Sequence, residues 1–467
     1  RRPPRSTPLY SSAASDVYKR QIYNIVMNRK NFIKNTFTAS AGVMFLPNLK
    51  GYSISKSLRN TSANNQLNIG SIGISGMGWS NTLKAIEVPG VNLVAVCDVD
   101  RNAIEKRLSH KSIAHVKEKI QVYADYRKML EQKDIDIIYI GTPDHWHALM
   151  MIDAAAAGKH VYVEKPIGNS IGECEAMVAA QKKYGNIIQV GQWQRSTTHF
   201  QEAMEFVHSG KLGPIRTVKV SCYQGWMSPQ PKVADSQPPQ GVDYQSWLGP
   251  APKKTFNASR FHFHFRWFWD YAGGLMTDWG VHLLDYALIG MKASFPKTIV
   301  GLGGQFAYPN LYQETPDTLS TLYEFDQFNL VWDSAMGIDN GSYGRDHCIA
   351  FIGNNGTLIV DRNGWEVIEE RRSENKVLIP LQKSSNNGHF QHQINFIEAI
   401  RENNPEILNC NVVEAAHVAK VAQMGNISFR SNQKLSWLAD KNQFSDPKIN
   451  KLYYTKKYYN GYKLPKI

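Results

Sequence analysis

Three ionisable side chains have the types and spacing that proton transfer at a hydroxyl group requires. Lys165 follows an apolar run in Gly158–Pro166, and this pattern predicts a lysine at the carboxyl end of a parallel strand, the edge where open α/β sheets bind ligands. Asp278 and His282 are four residues apart in a helical pattern, so both would project from one helix face. A neutral histidine accepts a proton near pH 7, and a lysine cation stabilises an oxyanion. A solvated lysine and a satisfied Asp–His pair in the core are the structural alternatives.

A second motif predicts a dinucleotide site. The fingerprint Gly-x-Gly-x-x-Gly is approximated by Gly73-Ile-Ser75-Gly76-Met77-Gly78, in which serine replaces the middle glycine, between a predicted strand and a predicted helix. Asp98 ends the next predicted strand, where a carboxylate receives ribose hydroxyls, and this favours NAD over NADP. Arg101 lies close enough to Asp98 in the sequence that NADP stays an alternative to NAD. An ordinary strand-to-helix turn and a helix N-cap at Asp98 are the alternatives.

The pattern of apolar residues in the first half of the chain predicts a parallel sheet covered by helices on both faces. Short apolar runs alternate there with helical stretches, the runs being Leu67–Ile72, Val91–Cys97, Ile135–Gly141, His160–Val163 and Ile187–Gly191. We therefore predict a Rossmann NAD-binding domain in residues 66–190, which would bring the lysine and the glycine-rich turn to one sheet edge.

After residue 191, β-branched runs follow one another without intervening helices, which predicts an open, mostly antiparallel sheet. Asn355-Gly356 is a hairpin signal, and two helical stretches, His389–Arg401 and Val412–Phe429, close this part. The predicted fold class is α/β plus α+β: a disordered leader in residues 1–65, the Rossmann domain, and an α+β substrate-binding and oligomerisation domain in residues 191–467.

The net charge of +13 is concentrated at the two ends of the chain. Residues 1–66 carry +10 and residues 441–467 carry +6, which leaves −3 for residues 67–440. A nearly neutral body does not predict a groove that follows phosphates, so we expect no nucleic-acid partner. Five scattered cysteines without a CxxC pair argue against a disulfide framework. No His pair has a carboxylate or cysteine partner at ligand spacing, so we predict no metal site.

The beginning of the chain contains a possible export signal. Residues 1–21 are rich in Arg, Ser and Pro and read like translated non-coding sequence, which makes Met27 the candidate start. Basic residues 29–34 followed by the apolar stretch Thr36–Leu46 are typical of an export signal, and Arg29-Lys30 resembles a twin-arginine motif with its second arginine replaced. We expect a periplasmic or exported protein, or a cytoplasmic one if the leader is no signal.

Taken together, these motifs resemble the glucose–fructose oxidoreductase/inositol dehydrogenase (Gfo/Idh/MocA) family. The resemblance extends from about Leu67 to the C-terminus, and three of its segments are similar to the branch common in exported bacterial proteins. The segments that carry it are Glu164-Lys165-Pro166, Thr142-Pro143-Asp-His-Trp-His147, Asp278…His282, Trp247–Pro252, Phe265–Tyr271 and Gly425–Arg430.

The resemblance implies hydride transfer between nicotinamide and a sugar or polyol carbon. His282 would act as general base, Lys165 would hold the reacting oxygen, and Asp278 would orient or tune the histidine. The glycine-rich turn including Met77, with Asp98, would bind the cofactor together with Thr142, Pro143, His147, Glu164 and Lys165. Arg195 and Trp267 are further candidates for contacts to substrate hydroxyls and to a sugar face. The resemblance also implies a homodimer or homotetramer formed through the open face of the second sheet.

Two other functions remain open on this scaffold. A sister branch cleaves glycosides by transient oxidation with bound NAD, but the members compared have lost the Glu-Lys-Pro lysine, whereas this chain keeps Lys165. A non-catalytic sugar-binding protein would share the fold. Gly168-Asn-Ser170-Ile-Gly172 matches a serine-nucleophile pattern, but Ser170 with Glu173 is better interpreted as a helix capping box.

Overall fold

The first part of the chain forms the predicted parallel sheet. The computed structural model describes residues 66–227 and 230–467, so the leader and the possible export signal lie outside the described residues. The six strands have the order β3-β2-β1-β4-β5-β6, and all pairs are parallel. Their bounds are β1 Leu67–Ile72, β2 Val91–Cys97, β3 Gln121–Tyr123, β4 Ile137–Ile140, β5 His160–Val163 and β6 Ile188–Val190.

Five α-helices connect these strands, and the second, third and fifth of them begin at a residue whose side chain caps the helix. They are α1 Gly76–Ile86, α2 Arg101–Leu108, α3 Tyr126–Leu130, α4 His147–Ala156 and α5 Ile171–Tyr184. Ser170 caps α5 by accepting a hydrogen bond from the Glu173 amide at 3.3 Å, while the Glu173 carboxylate accepts one from the Asn169 amide at 2.7 Å. The N-cap at Ser170 is thus confirmed, although the Glu173 carboxylate binds the amide before the cap rather than that of Ser170 itself; the cap explains Ser170 without a nucleophilic role.

The second part of the chain contains a ten-stranded mixed sheet. Its order is β14-β13-β12-β11-β7-β10-β9-β8-β15-β16, and all neighbouring pairs are antiparallel except β7 with β10. The predicted hairpin at Asn355-Gly356 joins β11 to β12. The bounds are β7 Ile215–Gln224, β8 Thr298–Gly304, β9 Thr318–Glu324, β10 Asn329–Met336, β11 His347–Gly353, β12 Gly356–Asp361, β13 Gly364–Glu369, β14 Ile379–Lys383, β15 Leu435–Leu438 and β16 Gln443–Phe444.

Among the described residues, the second part of the chain also contains seven α-helices, and one of them packs against the first sheet. They are α6 Thr198–His208, α7 Tyr244–Leu248, α8 Gly274–Asp278, α9 Gly280–Met291, α10 His389–Arg401, α11 Val412–Ser431 and α12 Pro447–Ile449. Phe396 and Ile397 of α10 are fully buried and share a hydrophobic cluster with Ile69, Tyr139 and Tyr162 of the first sheet. The predicted division at residue 190 therefore differs from the packing, because α10 returns to cover the Rossmann sheet.

Residues 66–227 and 230–467 contain neither a membrane-spanning helix nor a cluster of metal-binding side chains. Within these ranges no helix is long and apolar enough to cross a membrane. No group of three or more His, Cys, Asp or Glu side chains there is arranged to hold a metal ion. All five cysteines are buried and free, as small apolar side chains in a core would be.

Candidate active site

The glycine-rich turn is shaped by close contact between two loops. Gly73 has a φ of +75°, and a Cβ atom on Gly78 would lie 1.9 Å from the Gly73 carbonyl oxygen. A Cβ on Gly141, at the end of β4, would lie 2.3 Å from the Gly78 Cα. Only glycine fits at these positions, so the first and third glycines of the motif have the packing role that the fingerprint assigns to them.

The N-terminus of α1 fits the pyrophosphate of a dinucleotide. Gly76 and Met77 are exposed, and a Cβ on Gly76 would have no atom within 4 Å, so open space lies in front of the helix. The amides of the first turn lack intrahelical acceptors, and they are aligned with the positive end of the helix dipole. No acidic residue stands in the first turn of α1 to compete with an anion. The Ser75 side chain makes no capping hydrogen bond there.

Asp98 fixes the same turn from the end of β2. Its carboxylate accepts the Ile74 amide at 2.9 Å and the Asp100 amide at 3.0 Å. The cap of α2 is Asp100, which accepts from the Asn102 amide, so the N-cap alternative for Asp98 does not hold. Burial raises the pKa of Asp98 more than these two hydrogen bonds lower it. Carboxylate oxygens accept more than one hydrogen bond, so the predicted contact with ribose hydroxyls fits.

His147 and Glu164 hold neighbouring parts of the site in place through hydrogen bonds. The His147 ring nitrogens lie 2.7 Å from the Pro166 carbonyl oxygen and 2.9 Å from that of Thr142, which joins the two loops that follow β4 and β5. Glu164 accepts from the Asn81 amide group at 2.7 Å and from the Lys165 backbone amide at 3.2 Å. Both side chains are almost completely buried. The structure therefore gives both side chains a positioning role: the ring nitrogens of His147 face two carbonyl oxygens, and Glu164 binds Asn81 and the Lys165 amide.

The predicted lysine and aspartate meet directly. Lys165 Nζ donates to Asp278 Oδ1 at 2.7 Å and to the Asp278 carbonyl oxygen at 2.9 Å. Arg266 Nε donates to Asp278 Oδ2 at 3.0 Å, so one carboxylate is shared between two cations. Burial opposes the charged form of Asp278, but Arg266 and Lys165 outweigh it and lower the pKa of this carboxyl well below its ordinary value. Lys165 is thus held in one place beside the sheet edge.

His282 lies in the first turn of α9, after a break between α8 and α9 at Trp279. Its side chain is buried, and Nδ1 has no hydrogen-bond partner. Burial, followed by the charges of Lys165 and Arg362, lowers the pKa of His282 well below its ordinary value, so the ring is neutral near pH 7. Asp278 contributes charge at this position, but its oxygens bind Lys165 and Arg266 and do not orient the histidine directly.

Two predicted substrate contacts do not fit the structure. Arg195 forms a bidentate ion pair with Asp285, at 2.6 and 2.7 Å, and a second ion pair with Glu414. Its charge is thereby satisfied inside the protein. Trp267 is 1% exposed and belongs to the hydrophobic core, so it offers no face to a sugar.

Three residues of the site were missed by sequence reasoning. Arg266 lies in a segment that was recognised as a motif but given no role. Asp144 stands between the predicted Pro143 and His147; burial, and then the charge of Asp278, raise its pKa to about 8. Arg362 lies in the turn after β12, beyond any recognised motif. Its guanidinium lies over the ring of Trp193, whose centroid is 6.2 Å from that of His282.

A Rossmann sheet with a glycine-shaped dinucleotide turn, joined to a lysine, an aspartate and a neutral histidine, defines a nicotinamide-dependent oxidoreductase. Residues 67–192 match the family model for the oxidoreductase family with an NAD-binding Rossmann fold, and residues 196–299 match that family's C-terminal alpha/beta domain. The chain belongs to the Gfo/Idh/MocA family, and its cofactor is NAD.

Individual relatives differ in how much of the chain they match. The uncharacterized oxidoreductase YrbE of Bacillus subtilis is 24% identical over 308 residues, which cover 65% of this chain and 76% of YrbE. Glycosyl hydrolase family 109 protein 1 of Shewanella sp. (strain ANA-3) is 36% identical over 114 residues, 24% of this chain and 25% of that protein. The scyllo-inositol dehydrogenase of Lactobacillus casei, solved with NAD(H) and scyllo-inositol, has a TM-score of 0.57 at 19% identity and covers 79% of this chain and 99% of its own. At that identity the structural likeness shows a common fold.

Proposed function

We propose that this protein oxidises a hydroxyl-bearing carbon of a sugar or polyol, with NAD as the hydride acceptor, or carries out the reverse reduction. The observation that supports this most strongly is Lys165, held at 2.7 Å from Asp278 at the sheet edge that also presents the dinucleotide turn. A buried, neutral His282 shares the electrostatic environment of that pair. Relatives named as dehydrogenases of polyols favour the same substrate class.

In the oxidation, the substrate loses a hydride from carbon and a proton from the hydroxyl oxygen. NAD, when bound, supplies the hydride acceptor. His282 accepts the hydroxyl proton, since a neutral imidazole has the required lone pair. Lys165 donates a hydrogen bond to the same oxygen and stabilises its developing negative charge. Asp278 holds the lysine side chain in position and is itself bound by Arg266, so little reorganisation is needed during the reaction.

A second candidate is glycoside cleavage through transient oxidation, without net production of NADH. It is supported by the 36% identity to a glycosyl hydrolase family 109 protein, although that match spans only a quarter of each chain. The family resemblance implies that the glycoside-cleaving branch has lost this lysine, so the Lys165 retained here favours net oxidation.

The two candidates are separated by measuring both products in one sample. The purified protein is first denatured to identify any released nucleotide, and a second portion is incubated with NAD and a panel of sugars, polyols and nitrophenyl glycosides. NADH that accumulates with a free sugar or polyol supports the dehydrogenase. Nitrophenol released without NADH supports glycoside cleavage. If nothing turns over while a sugar still raises the melting temperature, the protein is a sugar-binding protein.

We further propose a homodimer or homotetramer formed through the outer face of the ten-stranded sheet. On that face Leu302 of β8 is 67% exposed and Leu322 of β9 is 40% exposed, and exposed apolar side chains on adjacent strands can form a patch that another copy covers. Light scattering on the wild type and on Leu302→Glu tests this, since a charged residue would dissociate the assembly.

Export remains a proposal based on residues 27–46, to be tested by fusing residues 27–66 to a reporter and fractionating the cells.

A further inference from the structure

Arg362 occupies an unusual environment beside the candidate active site. It lies in the turn between β12 and β13, and its guanidinium carbon is 4.9 Å from the ring centroid of Trp193 and 4.3 Å from that of Trp279. One terminal nitrogen donates to Gln194 Oε1 at 3.1 Å. The Nε–H group is buried and has no hydrogen-bond partner.

Unlike the other cations of this region, Arg362 has no carboxylate of its own. Lys165 and Arg266 share Asp278. The carboxylate that precedes Arg362 in the chain, Asp361, is paired with Arg345 at 2.7 Å. In the part of the chain that the structure describes, no carboxylate oxygen lies within 4 Å of the Arg362 guanidinium nitrogens. An inward-facing guanidinium without an anion is costly, and a bound anion would offset that cost.

The two tryptophans beside Arg362 also lie next to candidate catalytic residues. Trp279 directly follows Asp278, and the ring of Trp193 contacts that of His282 at a centroid distance of 6.2 Å. The charge of Arg362 is among those that lower the pKa of His282, which places the two side chains in one electrostatic environment. A substrate group held by Arg362 would therefore belong to the molecule whose hydroxyl faces the histidine.

A second histidine, His347, lies beside Trp279 and has a ring nitrogen without a hydrogen-bond partner. The ring of His347 is 5.0 Å from that of Trp279, and its Nδ1 lies 2.7 Å from Asp346 Oδ1. Because a carboxylate accepts, Nδ1–H donates to Asp346, and in the neutral ring Nε2 keeps its lone pair. Nε2 is buried and without a partner, so it fits the hydroxyl group of a ligand.

We propose that Arg362 binds a carboxylate of the substrate, and that the sugar or polyol oxidised by this protein is a sugar acid. This inference rests on the proposed function, because it assumes that the site near His282 receives a sugar. The guanidinium lies close to two indole rings, and an arginine offers parallel N–H groups that match the two oxygens of a planar carboxylate. The hydroxyls of the same molecule would meet His347 and His282.

The test is a binding comparison on the full chain saturated with NAD. Calorimetry measures Kd for D-glucuronate against D-glucose and for D-galacturonate against D-galactose, which differ mainly in the carboxylate. We expect at least one uronate to bind the wild type about 10- to 100-fold more tightly than its neutral hexose, the range for a charged hydrogen-bonded pair. Arg362→Gln removes this preference and leaves the neutral hexose within about twofold. Arg371→Gln, which changes an exposed arginine, leaves both values unchanged.

Several results would overturn the inference. These are the absence of uronate binding, equal binding of each uronate and its hexose by the wild type, or an equal weakening of both by Arg362→Gln. The wild-type comparison does not depend on whether the variant folds. NADH formation in the same samples tests the proposed function separately. Tight uronate binding without NADH supports the carboxylate subsite and contradicts the dehydrogenase, whereas turnover restricted to neutral sugars does the opposite.

Discussion

Replacing Asp278 by asparagine is expected to destabilise the protein and slow its reaction together. The substitution keeps the shape of the side chain and removes its charge. In the wild type, Asp278 lies 2.7 Å from Lys165 Nζ and 3.0 Å from Arg266 Nε, and all three side chains are 14% exposed. The variant would leave two neighbouring cations without a counter-charge, and Lys165 would lose the group that fixes its position.

The size of the effect follows from the distances and the burial. At an effective dielectric constant of about 20, each of the two ion pairs has a Coulomb energy of about 6 kcal/mol. Dehydration of the charges offsets much of this attraction, and removal of one partner from a buried pair costs about 3–5 kcal/mol. Because the side chains retain some exposure, we expect the lower end, about 3 kcal/mol. Loss of the fixed lysine should reduce kcat by about 100-fold.

A second aspartate–lysine pair supplies the control. Asp270 lies 2.5 Å from Lys254 Nζ, with the two side chains 27% and 32% exposed, so Asp270→Asn should cost no more than about 1 kcal/mol. Urea unfolding of both variants at pH 7 gives the two free energies of unfolding, and steady-state kinetics gives kcat. Equal losses of stability, or an Asp278→Asn variant with wild-type kcat, would contradict the role given to Asp278.

Three further predictions concern the base, the cofactor turn and the pH profile. His282→Ala and Lys165→Met should each lower kcat by about 100- to 10,000-fold, and His282→Ala should leave NAD affinity within about twofold; wild-type turnover in either variant would remove its assigned role. Gly78→Ala places a Cβ 1.9 Å from the Gly73 carbonyl oxygen and should abolish NAD binding, whereas Gly158→Ala, strained at a φ of +77° but in open space, should cost about 1–2 kcal/mol and bind NAD normally. Because the pKa of His282 is lowered and its neutral form is the active one, kcat/KM should stay level from pH 8 down to about 6.5 and fall only below that; an acidic limb centred above pH 7 would contradict this.

The cofactor half of the molecule could be predicted from local patterns. Parallel strands buried on both faces appear as continuous apolar runs, and the glycines of the turn are imposed by contacts within about 70 residues of chain. The edge strand β3 was missed because Gln121–Tyr123 is short and mostly exposed, so it lacks an apolar signal. The return of α10 to the first sheet was missed because its apolar face does not indicate which sheet it covers.

The substrate half was harder to predict because its roles depend on long-range pairing. Arg195 and Arg362 look equivalent in the sequence, yet Asp285 neutralises the first and no carboxylate lies within 4 Å of the second among the described residues. Trp267 and Trp279 are both tryptophans in recognised motifs, but one is in the core and the other lies beside Arg362. Such differences arise from three-dimensional packing, which no spacing rule encodes.

The proposed function requires hydride transfer from a sugar or polyol carbon to NAD, assisted by His282. The most direct test mixes the NAD-loaded protein with the substrate that turns over fastest, deuterated at the oxidised carbon, and follows NADH formation and the position of the label. We expect deuterium on the nicotinamide ring, a slower rate than with unlabelled substrate, and near-complete loss of the reaction in His282→Ala. An unlabelled nicotinamide, or equal rates in the wild type and His282→Ala, would contradict it.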